Sequence, residues 1–204
     1  MSTIANPGGI RRDRRSILFI ALLTSFLTPF MISSVNIALP AIGSEFGADV
    51  VLLGWIPTSF ILASAIFLIP MGRLADIHGM RRIFFPGILL FTAATLFCAF
   101  SSSTPILIAF RILQGIGNAM IFSTAIAALT AAYPPGERGM VLGFSVAVSY
   151  IGLSAGPVLG GLLTQNFGWR SIFFAVVPLG VIALILMLSH RNEWTERLPE
   201  RFDL

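Results

Sequence analysis

The chain has 204 residues, of which 56% are hydrophobic and 11% charged, with a formal net charge of +4. A soluble domain carries about a quarter charged residues. Here the mean hydropathy is +0.90, and the apolar residues gather in blocks of roughly 20, the length that spans a bilayer. All thirteen basic residues are arginine. The lack of lysine excludes a phosphate-binding P-loop and a lysine Schiff base. Cys98 is the single cysteine, so no intrachain disulfide forms, and the two histidines, His78 and His190, lie far apart. No metal site, no cofactor and no catalytic residue is expected. The arginines flank apolar spans, which fits orientation in a membrane and not a nucleic-acid surface.

In chain order, residues 1–15 form a polar segment with Arg11, Arg12, Arg14 and Arg15. Six spans follow, at 16–39, 50–71, 83–100, 105–132, 140–163 and 171–189. The first is not a cleaved signal peptide, because its run is long enough to span and five more succeed it. The break at 40–49 holds Glu45 and Asp49 but no arginine. The second break holds Arg73, Arg81 and Arg82, and the third, SSST, is uncharged. The fourth holds Arg138, the fifth Arg170, and the tail 190–204 holds Arg191, Arg197 and Arg201. Arginine thus concentrates on one side, which predicts a multi-pass protein of the cell membrane with both termini cytoplasmic. Arg170 is the exception, on the outside.

A repeat spans the charged break. GRLADIHGMRRIFF (72–85) aligns without a gap on GLLTQNFGWRSIFF (161–174) at an offset of 89. Gly72, Leu74, Gly79, Arg81, Ile83, Phe84 and Phe85 fall on identical residues, seven of fourteen positions. The first copy links spans two and three, the second links spans five and six, on opposite sides. The chain therefore reads as all-α, with six transmembrane helices in two inverted three-helix repeats, 16–100 and 105–189. Inverted three-plus-three repeats nested in a six-span half belong to secondary transporters of the major facilitator type. On this reading Arg170 is outside because it is inherited from the copy.

GRLADIHGMRR resembles the signature of the major facilitator superfamily between its second and third helices, G-x-L-A-D-x-x-G-R-[RK]-[RK]. Gly72, Asp76, Gly79, Arg81 and Arg82 match it, while Met80 replaces the usual first arginine and Ile77 a frequent one. The resemblance implies a gating loop that holds one alternating-access state, partly by touching a second six-span half. By composition alone the stretch also fits a solvated loop with orienting arginines.

RILQGIGNA (111–119) resembles the family's fourth-helix motif, R-x-x-x-G-x-G. Arg111 lies roughly 9 Å into its helix at 1.5 Å per residue. Arg111, Gln114, Gly115 and Asn118 share one helical face. An intramembrane arginine is costly and lines a cavity as a rule, or else snorkels to the surface. Its polar neighbours favour the cavity, with Asn36 of the first span, facing a second half of the transporter.

GLSAGPVLGG (152–161) resembles the antiporter motif G-x-x-x-G-P-x-x-G-G, through Gly152, Gly156, Pro157, Gly160 and Gly161. Glycines four apart strip one helix face of side chains and allow close helix packing. Ser154 also fits G-x-S-x-G, but neither histidine lies at membrane depth to serve as base. SSVNIALPAI (33–42), WIPTSFILASAIFLIPMGRLAD (55–76) and GWRSIFFAVVPLG (168–180) resemble the multidrug-efflux branch with fourteen spans.

The resemblance implies the N-terminal half of a secondary transporter exporting amphipathic small molecules in exchange for protons. A metabolite-specific transporter and a truncated, non-transporting membrane protein are the alternatives. The implied partners are lipid, a small-molecule substrate, protons, and a complementary six- or eight-span half or a second copy. The tail resembles the linker to a seventh span. The branch often carries an acid in the first span where this chain has Met31, so no acidic residue is expected at membrane depth.

Overall fold

The computed structural model describes the backbone of residues 7–189 and the side chains of residues 16–189. The segment 1–6 and the tail 190–204, with its expected linker role, lie outside the described residues. Among these residues there are six helices and no strand: α1 (Pro7–Phe46), α2 (Val50–His78), α3 (Met80–Ala99), α4 (Thr104–Ala132), α5 (Pro135–Phe167) and α6 (Arg170–Ser189). Each contains a stretch of 20 to 33 residues long and apolar enough to cross a bilayer.

The helices overrun the predicted spans. Apolar composition marks the thickness of the hydrocarbon layer, whereas helical hydrogen bonding continues until a residue stops it. Asp49 begins α2 by accepting the Leu52 N–H at 2.7 Å on Oδ1, which satisfies one of the helix's orphan donors. GRLADIH (72–78) is the last part of α2, not a loop. Only Gly79 separates α2 from α3, at φ +100°, and Gly168 ends α5 at φ +79°. Such positive φ values favour glycine.

The two turns match bond for bond. Gly79 N–H donates to Ala75 O at 2.9 Å and Arg82 N–H to Gly79 O at 3.2 Å. Gly168 N–H donates to Thr164 O and Ser171 N–H to Gly168 O, both at 3.1 Å. Every partner is displaced by 89 residues, the offset read from the sequence. The α1–α2, α3–α4 and α5–α6 turns lie at one end of the bundle, called here the odd-turn end. The α2–α3 and α4–α5 turns lie at the other, the even-turn end.

Packing crosses between the repeats. The first helix of each repeat lies on the second helix of the other, α1 on α5 and α4 on α2, while the third helices, α3 and α6, meet each other. The symmetry is incomplete, because α3 packs far more closely on α4 than α6 does on α1. Small residues set the crossed contacts. A Cβ on Gly152 would lie 2.6 Å from Phe26 O and one on Gly160 2.7 Å from Ser34 Cβ, while one on Gly156 would collide with Ser33 Oγ. On the other side, a Cβ on Gly115 would lie 2.5 Å from Phe60 O. At this approach hydroxyls reach the neighbouring backbone: Ser34 Oγ donates to Gly156 O at 3.2 Å, Ser149 Oγ to Ser25 O at 3.1 Å and Ser64 Oγ to Gly115 O at 3.0 Å. α4 is the most enclosed helix, whereas α2 and α5 show long apolar faces, including Ile61, Ile66 and Ile69 on α2 and Ile151, Val158 and Leu162 on α5.

Gly156→Leu should separate α5 from α1 and destabilise the fold by about 3 kcal/mol, the upper range for overpacking. Gly143, with nothing within 4 Å of its Cβ position, should accept leucine with little change. Unfolding of the purified chain in mixed detergent micelles measures both; equal effects would contradict the packing role of Gly156.

Candidate functional site

Arg111, Gln114, Gly115 and Asn118 occupy one face of α4, as their spacing requires. Because Gly115 lets α4 close on α2, the Arg111 guanidinium reaches across to that helix. Its Nε donates to Ile56 O at 3.3 Å and its carbon lies 4.4 Å from the centre of the Phe60 ring. One terminal nitrogen, Nη1, donates to Gln114 Oε1 at 2.6 Å; the other, Nη2, is buried without a hydrogen-bond partner. Gln114 Nε2 passes the polarity on to Thr95 Oγ1 at 2.7 Å, and Thr95 Oγ1 donates to Phe91 O at 2.6 Å. Among the described residues every acceptor of the arginine is neutral. The charge is held by a ring face, a carbonyl and an amide.

This corrects the expectation that the stripe faces out of the bundle towards a second half. Arg111 and Gln114 have no exposed surface and Asn118 has 7%. α2 and α3 of the same half close over them, because glycines at 115 and 117 bring both helices onto α4. Asn36 does not join the cluster: it is exposed on α1 and makes no hydrogen bond among the described residues. Ser34, two positions earlier, is turned fully onto α5, and residues two apart point about 200° from each other around a helix of 3.6 residues per turn.

Asn118 leads to a second polar group. Thr28 Oγ1 donates to Asn118 Oδ1 at 2.6 Å, and Asn118 Nδ2 donates to Ser64 Oγ at 3.2 Å. Beside them is a pocket of about 50 Å³ lined by Thr24, Ser25, Thr28, Asn118, Phe122 and Ser149, from α1, α4 and α5. Sequence reading missed these hydroxyl residues, since serine and threonine barely interrupt an apolar run. The signal that finds them is spacing: Thr24 and Thr28 lie four apart on α1, one turn of a single face.

At the even-turn end the gating residues do not form one cluster. Arg81 is half-buried and its Nη2 donates to Met187 O at 3.2 Å, near the end of α6. Arg82 and Asp76 are exposed, and Asp76 makes no hydrogen bond or ion pair among the described residues. Gly72 is half-buried, 3.8 Å by its Cβ position from Ser123. In α5, Gly152, Gly156 and Gly160 are buried on α1, Gly161 is half-buried near Ile37, and Pro157 is exposed. Ser154 is exposed within the helix and not on a strand-to-helix turn, so the G-x-S-x-G match forms no nucleophile elbow. Met31 is wholly buried in the core.

Six apolar helices in crossed, inverted three-helix repeats define a half of a facilitator-type membrane transporter fold. The sequence profile of the Major Facilitator Superfamily matches residues 21–203, and the chain belongs to that superfamily. It is 37% identical over 171 residues to the multidrug resistance protein Stp of Mycobacterium tuberculosis, covering 83% of this chain and 32% of Stp. It is 32% identical to the riboflavin transporter RibZ of Clostridioides difficile, covering 83% of this chain and 37% of RibZ. It is 33% identical to the putative multidrug resistance protein MdtD of Klebsiella pneumoniae, covering 92% of this chain and 40% of MdtD. The chain thus spans about a third of the length of these relatives. Its fold is like that of the inward-open xylose transporter XylE of E. coli, with a TM-score of 0.77 at 17% identity, over 88% of this chain and 48% of XylE.

Breaking a buried charged hydrogen bond costs about 3 kcal/mol, whereas replacing both partners by apolar groups is close to neutral. Gln114→Leu should therefore destabilise the chain by about that amount, and adding Arg111→Met should restore most of it. A double-mutant cycle on detergent unfolding measures the coupling; additive effects would contradict the pairing.

Proposed function

We infer that this chain supplies the N-terminal six-span half of a secondary transporter that exports amphipathic small molecules in exchange for protons, by alternating access. The observation that carries this reading is the pairing of two features in one bundle. A mostly apolar pocket of α1, α4 and α5 carries a few hydroxyls and Asn118 beside Ile121, Phe122 and Ala125, and the matched gating residues Asp76 and Arg82 are exposed at the even-turn end. The names of Stp and MdtD as multidrug resistance proteins support export of drug-like molecules. The name of RibZ supports a specific metabolite as the second reading.

The even-turn end faces the cytoplasm in this reading, in the cell membrane, with the arginine bias as support. The apolar faces of α2 and α5 are covered by a complementary half or a second copy. Among the residues whose side chains are described the acids are Glu45, Asp49, Asp76 and Glu137, all at helix ends. The group that carries the coupling proton therefore belongs to the complementary half. Arg111 supplies a fixed positive charge inside this one.

Asp76→Asn should abolish export of ethidium from cells that carry the chain with its complementary half, at unchanged membrane levels. Normal export by the mutant would remove the gating role. Ethidium export by the chain expressed without any other half, as fast as with one, would overturn the half-transporter reading.

A further inference from the structure

At the odd-turn end Arg170 holds three helices together. Its Nη1 lies 2.6 and 2.8 Å from the two carboxylate oxygens of Glu45, near the end of α1, and its Nη2 donates to Ser101 O, just past α3, at 3.0 Å. Its guanidinium carbon lies 4.3 Å from the centre of the Trp169 ring. Trp169 is 2% exposed, donates its indole N–H to Glu45 Oε2 at 2.7 Å, and meets Phe46 and Phe173 edge-on. Glu45 and Arg170 are 43% and 33% exposed, so the ion pair alone would be weak. The buried indole and the Ser101 carbonyl make it a four-part network that ties α1, α3 and α6. It is the one ion pair between side chains that the described residues show.

The inverted repeat gives this network a counterpart. Arg81, at the matching position of the first repeat, donates to Met187 O at the end of α6. Each turn arginine thus sits on the C-terminal end of the other repeat's third helix, where the helix dipole favours a cation. The carboxylate is not repeated. Moving Glu45 by the offset of 89 gives Pro134. The acid of the even-turn motif, Asp76, is exposed and unpaired among the described residues.

We propose that Arg170 is a positioning residue that makes the odd-turn end of this half a fixed joint, keeping α1, α3 and α6 together throughout the transport cycle while the half moves as one body. The fixed joint stands on geometry; only its constancy during the cycle rests on the transport reading above.

Ser101 reports on the joint, because it is 1% exposed beneath it. With Cys98→Ala removing the native thiol, Ser101→Cys in the full chain is exposed to a membrane-impermeant maleimide in native membranes opened to both faces. Labelling should be slow. Arg170→Gln and Glu45→Gln should each speed it roughly tenfold, the effect of losing one charge-assisted hydrogen bond, and Arg170→Lys should speed it less. A rate unchanged by Arg170→Gln overturns the proposal. So does equal unmasking of a cysteine at the fully buried Thr124, because Arg170 would then be holding the whole fold. In sealed vesicles from cells that also carry the complementary half, right-side-out for position 101 and inside-out for position 77, a proton gradient with ethidium should leave the Ser101→Cys rate constant while that of Ile77→Cys, exposed at the even-turn end, changes. A cycle-dependent rate at 101 overturns the fixed joint. If neither rate responds, the transport reading fails and the constancy claim with it, while the comparison of Arg170 variants still decides the joint.

Discussion

The close approach of helices across the two repeats is the constraint on which the other features depend. In a lipid environment apolar side chains gain little by leaving lipid for protein, so helices associate through dispersion contacts and hydrogen bonds made at short range. Gly152, Gly156 and Gly160 bring α5 onto the backbone of α1, and Gly115 brings α4 onto α2. These two crossed contacts interlock the repeats, so that neither three-helix unit is a separate body. They also bring serine hydroxyls within reach of opposing carbonyls, which adds direction to contacts that packing alone would leave free to slide.

The same contacts decide where charge can be held. Arg111 is tolerated at depth because α2 comes near enough to offer the Ile56 carbonyl and the Phe60 ring, and because Gln114 and Thr95 continue the hydrogen-bond chain to α3. At the odd-turn end a carboxylate is available and is spent on Arg170. At the even-turn end the equivalent arginine takes a helix terminus and the acid of the motif stays exposed. An inverted repeat has thus kept its backbone turns and lost the equivalence of its electrostatics. One end is satisfied within the half, and the other presents unspent charge to whatever docks there.

Several features were legible before the fold was known. The six spans follow from blocks of apolar residues. The repeat followed from identities at one offset, which set Gly79 on Gly168; both are turn residues at positive φ, which glycine adopts at low cost, whereas Gly72 lies inside α2. The glycine face of α5 was legible as a packing face for the same local reason. Superfamily membership rests on motifs of this kind, in which spacing along a single helix carries the information.

Properties of one helix at a time were fixed by the amino-acid sequence: which segments cross, where the chain turns, and which residues share a face of α4. Relations between helices were decided by the tertiary structure. Asn36 was grouped with Arg111 by polarity, yet the rotation of α1 that seats Ser34 on α5 turns it away. The stripe on α4 was placed facing a second half, yet α2 and α3 enclose it. Arg170 was read as a relic of duplication, yet it joins three helix ends through Glu45, Trp169 and Ser101. The reason is common to all three. Periodicity gives the angle of a side chain around its own axis, but which neighbour it meets depends on how closely and at what rotation two axes pack, and that is set by small residues on both helices together.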